Sequence, residues 1–131
     1  MTIEYAWHGA FENHEVNRLH AEGFGHAILN DDWLEQVERH SLGWVCARRD
    51  GDLVGFANVA WDGSTHAFVI DTLVTASARG EGIGTKMVAL CAREARAAGC
   101  EWLHVDFDEH LSAFYFDTCG FTPTSAGLIG L

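Results

Sequence analysis

Between positions 79 and 86 the chain reads Arg79-Gly80-Glu81-Gly82-Ile83-Gly84-Thr85-Lys86, with glycine at three alternate positions. Ahead of it lies His66 to Thr75, a stretch rich in β-formers. Behind it Ile83, Met87, Leu90, Cys91, Ala95 and Ala98 keep helical spacing from Gly82 to Ala98, and Gly99 stands where such a helix stops. Trp102 to Phe107 then reads as another strand. Strand, helix and strand in this order predict a parallel crossover. Glycines at its first junction let the backbone approach a ligand closely, and the free amides of a helix N-terminus favour a phosphate group.

The rest of the chain is fitted around that unit. Ile3 to Trp7 is a first strand. Asn13 caps a helix with Val16, Leu19 and His20 inward, ending near Gly23 or Gly25. Asp32 to Glu35 has the form of a capping box, opening a second helix with Leu34 and Val37 inside. Leu42 to Ala47 and Leu53 to Ala60 form a hairpin about Asp50-Gly51, and Asp62-Gly63-Ser64 turns the chain into His66–Thr75. After the crossover, Asp108 caps a helix running to about Thr118, Gly120 ends it, and Gly127 to Leu131 is a short last strand. Residues 1–131 are thus expected to form a single mixed α/β (α+β) domain, with a mostly antiparallel sheet around one β-α-β unit.

Composition narrows the partners. Nineteen acidic residues against eight basic ones give a net charge of −11. That argues against nucleic acid and anionic membrane surfaces, which need a basic face. No apolar stretch is long enough to span a bilayer, and the amino end shows no signal-peptide pattern, so a cytoplasmic location is expected. Cys46, Cys91, Cys100 and Cys119 form no Cys-x-x-Cys pair and read as buried free thiols. Four of the eight bases, Arg79, Lys86, Arg93 and Arg96, fall in one window. The five acids after Arg96 (Glu101, Asp106, Asp108, Glu109 and Asp117) have no Lys or Arg beside them. Two subsites of opposite sign would produce that division.

Two familiar phosphate loops fail on spacing. A Walker loop needs glycine directly before Lys-Ser/Thr, whereas Thr85 precedes Lys86 and Met87 follows. A dinucleotide fingerprint would need glycine at Thr85. The spacing that fits is Arg-x-x-Gly-x-Gly: Val74 at the strand end, Arg79 five residues later, then Gly82 and Gly84 opening the helix. Downstream, Phe114-Tyr115-Phe116 precedes Gly120-Phe121. In these motifs, and in element order over nearly its whole length, the chain resembles the GNAT-type N-acetyltransferases.

The resemblance implies a GNAT-like fold, acetyl-CoA as co-substrate and no metal. Leu73 and Val74 would pair through their backbone with the pantetheine arm. The amides of Arg79, Gly80, Glu81, Gly82, Ile83, Gly84 and Thr85 would cradle the pyrophosphate. The reaction implied is direct acetyl transfer to a primary amine, either a small cationic amine or a protein amino group, with a homodimer left open. A CoA-binding regulatory or degenerate module without turnover is the other reading.

Acyl transfer to an amine sets three requirements. An alkyl ammonium, with a pKa near ~10.4, must lose a proton before it can attack. The developing oxyanion needs a donor, for which the amide of Leu73 or Val74 is the family-like candidate. The leaving thiolate takes a proton, in this family usually from a tyrosine. Tyr115 is the tyrosine available, although counting back from Gly120-Phe121 places the family position on Phe116. His66 and Asp71, of opposite strand parity, are the candidate bases, beside Asp106, Asp108 or a water. Alternation puts His66, Phe68 and Ile70 on one face and Ala67, Val69, Asp71 and Leu73 on the other. His8, His14, His20 and His26 recur every six residues, but six residues of helix advance by about 600°, so they share no face and make no metal comb. Trp33, Trp44 and Trp61 are candidates for an acceptor pocket or for core packing.

Overall fold

The computed structural model describes residues 2–131. Its five-stranded sheet runs in chain order: β1 (Ile3–Trp7), β2 (Ser41–Arg49), β3 (Asp52–Trp61), β4 (His66–Val74) and β5 (Trp102–Val105). The first four strands pair antiparallel, and β5 lies parallel to β4. The expected crossover between them is helix α3 (Ile83–Ala97). Helices α1 (Asn13–Phe24) and α2 (Trp33–His40) precede β2. At the first hairpin Asp50 and Gly51 both have positive φ (51° and 85°), as an Asp-Gly turn between strands requires.

Two apolar layers sandwich the sheet. On one side α3 lays Ile83, Met87, Cys91 and Ala95 on Val45, Ala47, Val59, Ala67 and Val69. On the other, Val16, Leu19, Trp33 and Val37 of α1 and α2 pack against Cys46, Leu53, Phe56 and Leu73. The strands obey their period of two: Val45 and Ala47 face α3, while Cys46 between them faces α1 and α2. β4 breaks that rule. Ala67 and Val69 face α3, yet Leu73, an even number of residues on, faces α1. The cause is a register shift where Asn58 pairs with Ile70 but Phe56 pairs with Leu73, with Asp71 at φ 53°. An extra residue on one strand reverses the parity of all that follows. Asp71 and Leu73 therefore do not share a face with Ala67 and Val69, contrary to simple alternation.

Other local expectations are corrected for identifiable reasons. The cap of α1 is Glu12, one residue before Asn13, and the Glu15 carboxylate accepts from the Glu12 amide (3.0 Å). Asn13 serves α2 instead: its Oδ1 accepts from the Leu34 amide (2.9 Å) and its Nδ2 donates to Asp32 (3.0 Å). His20 is only half-buried, and the fully buried polar residue of α1 is Asn17, which ties Asp31 and Trp33 to the helix. β5 stops at Val105 rather than Phe107. The helix expected from Asp108 is a 3-10 turn (Glu109–Leu111) followed by a π turn (Ala113–Thr118). No strand forms over Gly127–Leu131, where Leu128 and Ile129 are 83% exposed. That segment pairs with no neighbour, and a lone strand gains no ladder bonds to hold it.

The ion pair between Glu15 and Arg48 clamps α1 to β2 through two bonds (2.8 and 2.9 Å). First through that bond, the Arg48 guanidinium holds the Glu15 carboxyl down at about 2. A depressed carboxylate stabilises the fold above its unfolded value, near 4.5, and that contribution fades as pH falls toward 2. Glu15→Gln is expected to cost about 1–2 kcal/mol at pH 7. In urea unfolding, the gap between wild type and variant should shrink steadily from pH 5 to pH 2; a gap independent of pH would refute the pairing.

Candidate active site

β4 and β5 pair only from His66 to Val69 and from Trp102 to Val105. Beyond that point the strands part, and a cleft of about 780 Å³ opens between them. Its walls are the end of β4 (Thr72, Leu73, Val74), the glycine loop and first turn of α3, the stretch Asp106–Asp108, Phe114 and Tyr115, and Gly23 and Phe24 of α1. The parting also decides which β4 amide is free. Thr75 N donates to the Val54 carbonyl (2.9 Å), so Val74 opposite Gly55 is a non-hydrogen-bonded pair. The Val74 N–H consequently points away from β3, to the open side, while that of Leu73 is spent on the ladder. Of the two amides proposed from the sequence, only that of Val74 is available.

The loop is built as an anion seat. Gly80 and Gly82 have φ of 82° and 81°, a region costly for residues with a Cβ. Gly82 caps α3, and the first helical bond is Lys86 N to the Gly82 carbonyl (3.1 Å). The amides of Ile83, Gly84 and Thr85 therefore have no helical acceptor, and they lie at the positive end of the helix dipole. Gly84 meets a different demand: a Cβ there would stand 3.2 Å from the Phe114 ring, so its absence lets α3 close on the cleft. Arg79 lines the cleft, and its Nε donates to the Val74 carbonyl (3.2 Å), which fixes the strand end. Glu81 stands apart from the cleft wall, its carboxylate paired with Arg49 (2.8 Å), which removes an acid from the anion seat. The Thr72 hydroxyl in the same cleft wall faces Tyr115, so the seat offers polar as well as anion-binding groups.

Tyr115 is 6% exposed and lines the cleft; Phe116 does not. The π turn explains the offset in the sequence. Cys119 N bonds to the Phe114 carbonyl five residues back (2.9 Å), so the helix holds one residue more than an α turn would. That residue rotates Tyr115 into the position that a gapless count gives to Phe116. The ring stacks on Phe107 (4.6 Å) and meets Phe114 and Phe121 edge-on. Burial pushes the phenol above 10, and the facing Thr72 hydroxyl opposes the shift. The group is thus protonated, a donor, at neutral pH.

The two candidate bases separate. His66 lies at the far end of β4, about 25 Å from Val74 by strand rise, with Nδ1 2.8 Å from His104 Nε2 on β5. It does not line the cleft. Asp71 sits at the bulge beside Thr72, facing α1, with an oxygen 3.7 Å from His20 Nε2. Burial raises its carboxyl above the ordinary range, and His20 and then Asn58 pull it back. Asp106 and Asp108 line the cleft with exposed carboxylates. The tryptophans belong elsewhere: Trp33 is core, Trp44 donates to the Gly9 carbonyl (2.8 Å), and Trp61 packs on the α3 layer. Thr72 and Phe107 were not singled out from sequence; the bulge in β4 sets the direction of Thr72, and Phe107 lies past the end of β5. Among the described residues no cluster of histidine, cysteine and acid groups is arranged to hold a metal, and no helix is long and apolar enough to cross a membrane.

A family model described as Acetyltransferase (GNAT) family matches residues 6–121. Comparison with curated protein sequences gives no match. Among solved structures, a GNAT family acetyltransferase from Streptococcus pneumoniae is similar at 20% identity and TM-score 0.80, covering 99% of this chain and 98% of its own. Glucosamine-6-phosphate N-acetyltransferase from Arabidopsis thaliana is similar at 15% identity and TM-score 0.80, covering 100% and 99%. The aminoglycoside N-acetyltransferase AAC(6')-Iy in complex with CoA is similar at 18% identity and TM-score 0.78, covering 99% and 94%. At these identities the likeness is one of fold.

Proposed function

The chain belongs to the GNAT acetyltransferase family, and from that premise we propose that it transfers acetyl from acetyl-CoA to a primary amine by direct attack. The observation that carries the reading is the conjunction of three unpaired amides at the start of α3 with a buried, protonated Tyr115 across the same cleft. Acetyl-CoA supplies the activated acetyl group. The amides of Ile83, Gly84 and Thr85 and the loop before them hold its pyrophosphate. The outward amide of Val74 is the donor for the carbonyl oxygen as charge develops there. Tyr115 Oη gives its proton to the leaving sulfur.

Charge across the cleft favours a cationic acceptor. Arg79 and the dipole of α3 lie on the cofactor side, while Asp106 and Asp108 line the wall beyond β5. An ammonium is drawn to that acidic side, and must be deprotonated before it attacks. A small amine or an exposed protein amino group both meet these terms.

Free-thiol release measured with acetyl-CoA and a panel of amines tests the proposal, alongside thermal unfolding with and without CoA. The expected result is a higher Tm with CoA and turnover with at least one cationic amine. Stabilisation without turnover on any amine would instead favour a CoA-binding module. No stabilisation by CoA would remove the cofactor assignment altogether.

A further inference from the structure

The chain turns back after the left-handed Gly25 that ends α1, and this brings His26 against His20 although six residues separate them. His20 Nδ1 and His26 Nε2 are 2.7 Å apart. The other nitrogen of His26, Nδ1, stands 2.7 Å from the Ala27 carbonyl. A carbonyl oxygen only accepts, so Nδ1 of His26 carries a proton, and Nε2 of the neutral ring is bare. A bare Nε2 must receive its bond from His20 Nδ1–H. Neutral His20 in turn presents a bare Nε2, and that nitrogen faces Asp71 Oδ1 at 3.7 Å. A lone pair opposite a carboxylate is repulsive until one proton enters between them. The hydrogen bonds thus prepare a place for a single proton.

The arrangement stands directly behind the cleft wall, which His20 and Asp71 do not themselves line. Asp71 adopts φ 53° at the β-bulge that turns its side chain toward α1. The next residues, Thr72 and Leu73, line the cleft, as do Gly23 and Phe24 of α1. The His20 ring is walled by Phe24 (4.6 Å) and Trp33 (5.4 Å). From β3 the neutral amide of Asn58 faces the carboxylate, its own oxygen held by Ser41 Oγ. Glu22, also on α1, is occupied by Thr75 Oγ1 and the Ala76 amide. The titratable groups facing the pair are therefore Asp71, His20 and His26. His20 and Asp71 keep 25% and 21% of their side chains exposed, enough to exchange a proton with water.

We propose that Asp71 and His20 act as one proton-accepting dyad for the acceptor amine, with His26 as the positioning residue that fixes the tautomer of His20. The inference rests on the acetyltransferase reading above. An acceptor R–NH3⁺ gives one proton, through an intervening water, to the dyad, and its freed lone pair forms the N–C bond as the C–S bond breaks. The second nitrogen proton replaces the one that Tyr115 passes to sulfur. The dyad releases its proton to water, so acetyl-CoA and R–NH3⁺ yield the amide, CoA thiol and one proton.

Long-range ¹H–¹⁵N correlation of the imidazoles, in the ligand-free protein at pH 8, tests the tautomer without turnover. His20 should show protonated Nδ1 and bare Nε2 in wild type, and lose that preference in His26→Ala. In the thiol-release assay His20→Ala should lower kcat about 100-fold, with the acetyl-CoA KM within about twofold. Its acid limb should move to lower pH, because a lone carboxylate is a weaker base than imidazole. His26→Ala should lose about tenfold, and His26→Gln, whose amide oxygen can still accept from Nδ1–H, should recover most of it; retained stabilisation by CoA verifies folding. A His20 ring protonated at Nε2, an unmoved acid limb in His20→Ala, or equal losses in the two His26 variants overturns the dyad while turnover by wild type persists. Absence of turnover on every amine overturns the acetyltransferase reading first, and the dyad's role with it.

Discussion

Gly82→Val should raise the Kd for acetyl-CoA on the order of 100-fold in titration calorimetry, equivalent to about 2.7 kcal/mol, and leave the protein folded. The two halves of this expectation have separate causes. A Cβ added at Gly82 meets no atom within 4 Å, so the substitution creates no clash. The cost lies in the backbone, which at φ 81° and ψ 10° is left-handed. A β-branched residue there loses roughly 1–2 kcal/mol or drives the loop to another conformation. Either outcome turns the amides of Ile83, Gly84 and Thr85 away from a common point, and a side chain then stands where the pyrophosphate must approach. Asparagine tolerates the left-handed region better than other residues, so Gly82→Asn should retain much of the affinity that valine loses. Equal affinity in wild type and Gly82→Val would remove the anion seat from the head of α3.

Tyr115→Phe should lower kcat about 100-fold, within the range for general acid catalysis, and change the KM for acetyl-CoA by no more than about twofold. The ring packs among Phe107, Phe114 and Phe121, and phenylalanine keeps that packing. Only the hydroxyl disappears. Because burial raises the phenol above 10, the acid form persists through neutral and mildly alkaline pH. Its loss should appear as a fall in rate on the alkaline side of the wild-type profile, and the variant should lack that limb. An undiminished kcat in Tyr115→Phe would assign the proton to another donor or to none. Phe116→Leu is the matching control: Phe116 stays outside the cleft, so its replacement should leave kcat near wild type.

The predicted crossover and the first hairpin were legible because they rest on local signals. Helical spacing from Ile83 to Ala95 and the Asp50-Gly51 turn are written in adjacent residues, and the structure repeats them with boundary changes of a few positions. The glycine loop was legible for the same reason: left-handed backbone at Gly80 and Gly82 needs a residue without a Cβ. The missed features share a different origin. Alternation placed Asp71 with Ala67, but the bulge against β3 reversed it. Six-residue spacing separated His20 from His26, but the turn at Gly25 joined them. Counting back from Gly120 left Tyr115, the tyrosine named from the sequence, one residue early, and the π turn accounts for that residue.

By itself, then, the sequence determined the class of fold, the order of its elements as far as β5, and the glycine loop, since propensity, period and turn chemistry act over a few neighbouring residues. Tertiary structure alone decided which amide of β4 is free, which aromatic enters the cleft and which carboxylate stands beside an imidazole. Each of those depends on a one-residue irregularity, and such an irregularity is favoured by packing against distant strands and helices rather than by the residues that form it.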